Sequence, residues 1–147
     1  LFIRSPQSTR PWQHVLESLS GYLLLGQRLF EEGKVYADAW NFGPSHEGNQ
    51  NVEKVISLMK ENWPAIEWQR DNVEQPHEAN LLQLDSTKAM QILKWQPVWS
   101  FSEGISETAK WFKTYMETGK ADSVAQIKQF VKKATEAGLT WTTHENK

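Results

Sequence analysis

Arg10-Pro11-Trp12-Gln13-His14-Val15-Leu16-Glu17 is the stretch on which the reading of this chain turns. It sets an arginine against a proline, adds a tryptophan, and puts a histidine where a long apolar run begins. Upstream, Phe2 and Ile3 read as a short strand, and Ser5 to Thr9, with Pro6, as a turn. Downstream, Val15, Leu19 and Tyr22 recur at helical spacing, and Leu16, Leu23 and Phe30 form a second stripe. The predicted helix runs to Glu32 and stops at Gly33. A helix apolar on so much of its circumference is covered from more than one side. A guanidinium between a turn and a helix start can hold a phosphate bidentately, beside the free N–H groups of the first helical turn. Taken alone, however, Arg10 reads as a surface arginine in an ion pair. His14 reads as a hydrogen-bonded structural histidine, and Glu17 as the acid that a helix dipole favours in the first turn.

Further along, Tyr36 to Phe42 reads as a strand ended by Gly43-Pro44. Val52, Val55, Ile56, Met59 and Trp63 predict an amphipathic helix that stops before Pro64. Ile66 to Gln69 and Leu81 to Leu84 read as strands, with a polar loop from Asp71 to Glu78 between them. Asp85 caps a predicted short helix from Ser86 to Leu93. After the aromatic link Lys94 to Trp99, Ser100 and Glu103 fit a capping box that opens a helix to Gly119. Val124, Ile127, Val131 and Ala134 define a last helix to Ala137, followed by a loose tail from Thr140. Helices alternate with short strands, so the predicted class is mixed α/β with more helix than strand.

The 147 residues suffice for one domain with a real core, and 39% apolar with 23% charged residues is ordinary for a soluble globular chain. A net charge of −2 gives no electrostatic case for nucleic acid or an anionic membrane. No run of 18 apolar residues occurs, and no signal peptide is visible. The absence of cysteine removes disulfides and thiolate metal sites and fits a cytoplasmic location. No glycine-rich dinucleotide fingerprint, Walker sequence or HExxH is present, and the four histidines are scattered. No residue pattern pairs a nucleophile with a base, so no catalytic residue and no metal site are predicted. Leu1, standing inside a strand where Met would begin a chain, is read as a sign that something upstream was lost.

In order and spacing, these pieces resemble the C-terminal half of extended short-chain dehydrogenases/reductases that act on nucleotide sugars. The resemblance rests on Arg10 to Glu17, Trp40-Asn41-Phe42-Gly43, Asp85-Ser86-Thr87-Lys88-Ala89 and Lys94-Trp95-Gln96-Pro97. It is completed by Phe101-Ser102-Glu103-Gly104-Ile105 with Trp111-Phe112. Lys94 stands where glycine is usual. Arg10 to Leu24 and Pro76-His77-Glu78-Ala79 look most like the CDP-glucose 4,6-dehydratase family. The resemblance covers residues 1 to 118, is specific at 10–25 and 76–97, and is weak from 44 to 72.

The resemblance implies a whole enzyme that binds NAD in an N-terminal Rossmann domain, absent from this chain, and converts CDP-glucose to CDP-4-keto-6-deoxyglucose for O-antigen dideoxysugars. It implies that residues 1–147 form the substrate-binding domain, inactive alone, holding neither cofactor nor catalytic residues. The enzyme would be a cytoplasmic homo-oligomer. Arg10 is implied as the diphosphate ligand, with Gln75, standing where many relatives carry a second arginine, and His77 and Glu78 along the same pocket wall. Trp12 and His14 are implied as supports of the Arg10 loop. Two other readings remain open: another NAD-dependent nucleotide-sugar epimerase or dehydratase, and a stand-alone binding domain that shares the fold. The first reading expects an exposed apolar face near Leu1 to Ile3 and along one side of the first long helix.

Overall fold

The computed structural model of the chain describes residues 1–71 and 81–142. Among the described residues the main regular elements are four α-helices: α1 (Val15–Glu32), α2 (Val52–Asn62), α3 (Phe101–Thr118) and α4 (Ser123–Glu136). Each boundary has a local cause. His14 caps α1, its Nδ1 accepting the Leu16 N–H at 3.2 Å. Asn51 caps α2 by accepting the Lys54 N–H at 2.8 Å. Ser100 and Glu103 close the predicted capping box at α3. Gly33 and Gly119 end α1 and α3 at φ 69°, a backbone region closed to most side chains by their Cβ.

The sheets are small. β1 (Phe2–Ile3) pairs parallel with β4 (Gln69–Arg70), Phe2 opposite Gln69 and Ile3 opposite Arg70. β2 (Thr9–Pro11) pairs antiparallel with β3 (Asn49–Asn51), Arg10 opposite Gln50. Thr9 also forms a single parallel bridge with Leu81. The coarse expectation of a helix-rich chain with short strands holds.

Two apolar clusters make the core. One joins Leu24, Phe42, Ala89, Leu93 and Trp95; the other joins Val98, Trp99, Phe130, Ala134 and Leu139. Trp95 is fully buried, its ring edge-on to Phe42 and its Nε1–H donating to Ser20 Oγ at 3.0 Å. Full burial of such a ring is worth about 3 kcal/mol or more.

The face that α1 turns inward is not the one its apolar periodicity predicts. Glu17, Ser20, Gly21 and Leu24 are buried, whereas Val15, Leu19, Tyr22, Leu23 and Phe30 are exposed. The reason is steric. A Cβ on Gly21 would lie 2.3 Å from the Phe42 ring, and Ser20 meets the Trp95 indole. Two large rings on the opposing wall demand small residues on the helix.

Other expectations are also corrected. Tyr36 to Phe42 is not a strand: Gly33–Tyr36 form a 3-10 turn, and residues 37–45 have no regular structure. A strand needs a partner, and none of the described strands lies beside this segment. Side chains satisfy two of its carbonyls instead, Lys88 Nζ donating to Ala39 O and Gln13 Nε2 to Phe42 O. The strand predicted over Ile66 to Gln69 shrinks to Gln69–Arg70, and that over Leu81 to Leu84 to the bridge at Leu81. Ala89–Leu93 winds as a π-helical turn and ends in Lys94 at φ 57°, in the left-handed region that favours glycine. Of the predicted loose tail, Thr140–Thr142 form a 3-10 turn in which Trp141 packs against both core clusters, and residues 143–147 lie outside the described residues.

Candidate functional site

β2 places Arg10 one residue from the point where the chain returns at Leu81. The Thr9 carbonyl accepts from Arg10 Nη1 at 2.8 Å and from the Leu82 N–H at 3.3 Å. Arg10 is half-buried, with part of its guanidinium engaged by its own strand. Gln75, His77 and Glu78 lie outside the described residues. Of the predicted site, Arg10, Trp12 and His14 are therefore placed as one continuous stretch from β2 to the cap of α1.

Two hydrogen bonds hold Trp12 against the 48–50 segment. Its backbone N–H donates to Gly48 O at 2.9 Å, and its indole N–H donates to Gln50 O at 2.9 Å. The indole thus continues, by a side chain, the pairing that β2 and β3 begin. Gln13 follows with its amide donating to Ser18 Oγ and to Phe42 O.

His14 is buried, edge-on to Trp99 with ring centroids 4.7 Å apart. Burial pushes its pKa down, opposed by a hydrogen bond to Gln126 and by the charge of Glu107. Desolvation favours the neutral ring, and a neutral ring can present the unprotonated Nδ1 that the Leu16 N–H needs.

Glu17 is where the sequence reading fell short. Its side chain is fully buried, and both oxygens accept backbone N–H groups: Oε2 from Val98 at 2.9 Å and Oε1 from Trp99 at 2.8 Å. Burial pushes its pKa up, while those two hydrogen bonds and Lys133 work in the opposite direction. The carboxylate welds the start of α1 to the Val98–Trp99 link. A signal was available: Glu17, Ser20, Gly21 and Leu24 fall at i, i+3, i+4 and i+7, one face of a helix.

Beside Trp12 and His14 opens an apolar groove of about 630 Å³, walled by Leu19 of α1, Val55 of α2, Ile105 and Phe112 of α3 and Ile127 of α4. Arg10 is not in its wall, so this groove and the arginine are separate features. Among the described residues, no three His, Asp or Glu side chains converge as metal ligands. No helix among them is long and apolar enough to cross a membrane.

No protein-family model matches the chain. Among curated proteins the likeness is to the nucleotide-sugar dehydratases, the class to which the order of motifs had pointed. The relative is the CDP-glucose 4,6-dehydratase of Salmonella typhimurium, 43% identical over 117 residues, or 79% of this chain. The chain is thus similar to part of that enzyme and spans about a third of its length, 33%. The family resemblance read from the sequence is borne out at that level.

Proposed function

We propose that this chain is the nucleotide-sugar-binding part of an NAD-dependent CDP-glucose 4,6-dehydratase of the extended short-chain dehydrogenase/reductase class. The observation that carries the reading is the 43% identity to the Salmonella enzyme over most of this chain. In the whole enzyme, NAD and the residues that move hydride and protons belong to an N-terminal Rossmann domain. This part contributes the grip on CDP-glucose and is inactive alone. The enzyme acts in the cytoplasm as a homo-oligomer.

Arg10 is the ligand for the diphosphate. Its planar fork can meet two phosphate oxygens at once, which a lysine cannot. Gln75, His77 and Glu78, which lie outside the described residues, are assigned to the same nucleotide site on the strength of the resemblance alone. A glutamine at position 75 can donate a hydrogen bond but carries no charge, so Arg10 carries more of the electrostatic grip. Trp12 and His14 hold the strand and helix cap around it and do not touch the substrate.

A domain of a larger enzyme is favoured over a stand-alone domain by the surface. Phe2 is 73% exposed, Val15 62% and Leu23 76%, and Leu19 and Tyr22 stand between the last two on α1. On α1 the exposed Val15, Leu19, Tyr22 and Leu23 fall at i, i+4, i+7 and i+8, one apolar stripe of the kind that marks an interface in a soluble protein.

The test is titration calorimetry of the 147-residue chain with CDP and with UDP. CDP binds more tightly than UDP, and Arg10→Ala weakens CDP by about tenfold or more, the worth of a charge-assisted pair. Equal affinity for the two nucleotides would favour an epimerase or dehydratase of other specificity, and CDP binding untouched by Arg10→Ala would refute the diphosphate assignment.

A further inference from the structure

The strand that carries Arg10 is three residues long and belongs to a sheet of two strands. Such a ribbon has little stability of its own, yet an arginine that grips a diphosphate must be held to within a fraction of an ångström. Something beyond the β2–β3 pairing has to fix it.

The segment from Phe42 to Gly48 supplies the support, and it does so at three glycines. Gly21 lets the Phe42 ring lie on α1, where a Cβ would sit 2.3 Å from the ring. Gly43 sits against Leu84 and Ser86, its N–H donating to Ser86 Oγ at 2.7 Å. Gly48 closes the run. It is buried, its N–H bonds Ser45 O, and its carbonyl receives the Trp12 N–H. A Cβ there would lie 2.4 Å from Pro44 Cβ and 2.7 Å from the Trp12 carbonyl oxygen. The Trp12 oxygen is backbone and cannot swing aside, and the proline ring is rigid. A single methyl group at Gly48 therefore pushes the turn and the Trp12 strand apart.

We propose that Gly48 is a positioning residue for Arg10. Its missing side chain lets the Ser45–Gly48 turn seat between Pro44 and Trp12, and this seat sets the height of the strand that presents the guanidinium. Gly48 does not touch the ligand and acts through Arg10. It lies in the stretch where the family resemblance is weak, so no motif drew attention to it. The proposal rests on Arg10 being the diphosphate ligand.

A double-mutant cycle read by CDP titration of the 147-residue chain tests it. Gly48→Ala weakens CDP by about fivefold when Arg10 is present and by less than about twofold on an Arg10→Ala background, the non-additivity of residues acting as a unit. Adding Pro44→Gly to Gly48→Ala removes the ring contact and restores part of the loss. An equal loss in both backgrounds would mean that Gly48 acts through general stability and would overturn the proposal. If Gly48→Ala does not fold, Pro44→Gly alone, which loosens the seat without inserting an atom, is put through the same cycle and judged the same way. A wild-type chain that fails to bind CDP overturns the diphosphate reading instead. Gly48 is then judged by hydrogen exchange at the Trp12 amide and indole N–H. Faster exchange at both in Gly48→Ala supports the seat, and unchanged exchange refutes it.

Discussion

The two ends of the α1 region are built to opposite standards. At its N-terminal end, His14 caps the helix, Glu17 satisfies two backbone N–H groups of the Val98–Trp99 link, and Ser20 meets the Trp95 indole. On its outer face, Leu23 and Phe30 stand 76% and 92% exposed, and the segment after it, 37–45, has no regular structure. Both regions drew strong signals from the sequence. The difference is whether the chain supplies what the signal calls for. Small and polar residues close one region because their partners are at hand. The other region offers Leu23 and Phe30 with nothing among the described residues to cover them, and a strand-like pattern that finds side chains in place of a strand partner.

The largest effect belongs to the closed region. Trp95→Ala empties the centre of the first cluster and removes the ring that Phe42 packs against. The Ser20 hydroxyl keeps its bond to the Glu17 carbonyl and loses only the indole donor, so the emptied ring volume dominates, and a loss of about 3–5 kcal/mol is expected in chemical denaturation. A loss under about 1 kcal/mol would show that the cluster is not continuous as described.

Glu17→Gln comes next, at about 1–3 kcal/mol near neutral pH, because an amide can accept one of the two N–H groups but turns its own NH2 toward the other. The pH dependence sharpens this. Burial raises the folded-state pKa of Glu17 above its unfolded value, so between those two values the folded state binds more protons and gains stability as pH falls. The variant lacks this gain. Denaturation midpoints at pH 7 and pH 5 should therefore show the gap between wild type and Glu17→Gln widening on acidification, and a narrowing gap would contradict the assigned direction. His14 titrates in both proteins and cancels in the difference.

The smallest effect on stability belongs to the open face. Leu23→Ser or Phe30→Ser should shift the thermal midpoint little, within about 0.5 kcal/mol in free energy, because each side chain loses almost no buried area. The same changes should reduce self-association in sedimentation at high concentration. A large stability loss at Leu23 would mean that the outer face is covered.

How much of this was legible follows from the same contrast. The four helices and their stops could be read because caps and periodicity are local: Asn51, Ser100 with Glu103, Gly33 and Gly119 act within a turn of where they stand. Arg10, Trp12 and His14 could be read as one stretch because they are adjacent, while Gln75, His77 and Glu78 fall outside the described residues. The spacing of Glu17, Ser20, Gly21 and Leu24 marks them as one face of α1, but that this face turns inward could not be read, because it is decided by Phe42 and Trp95, which are distant in sequence and large enough to exclude a methyl group at Gly21. Nor could the strand over Tyr36 to Phe42, since strand pattern records a capacity to pair and says nothing of whether a partner is present. Gly48 was invisible for a related reason. Its requirement is spatial, set by Pro44 and the Trp12 carbonyl, and leaves no mark on local pattern.

Lys94 carries a strain of its own. The π-helical turn it terminates needs a left-handed residue to deliver Trp95 into the core, and the chain delivers it with a lysine at φ 57°. The left-handed conformation costs a lysine roughly 1 kcal/mol relative to glycine. Every folded copy carries that tax, and it is small beside what the Trp95 anchor returns. The left-handed residue at this position is therefore a small local strain set against a large gain in the core, and the backbone shape is held by the indole it delivers.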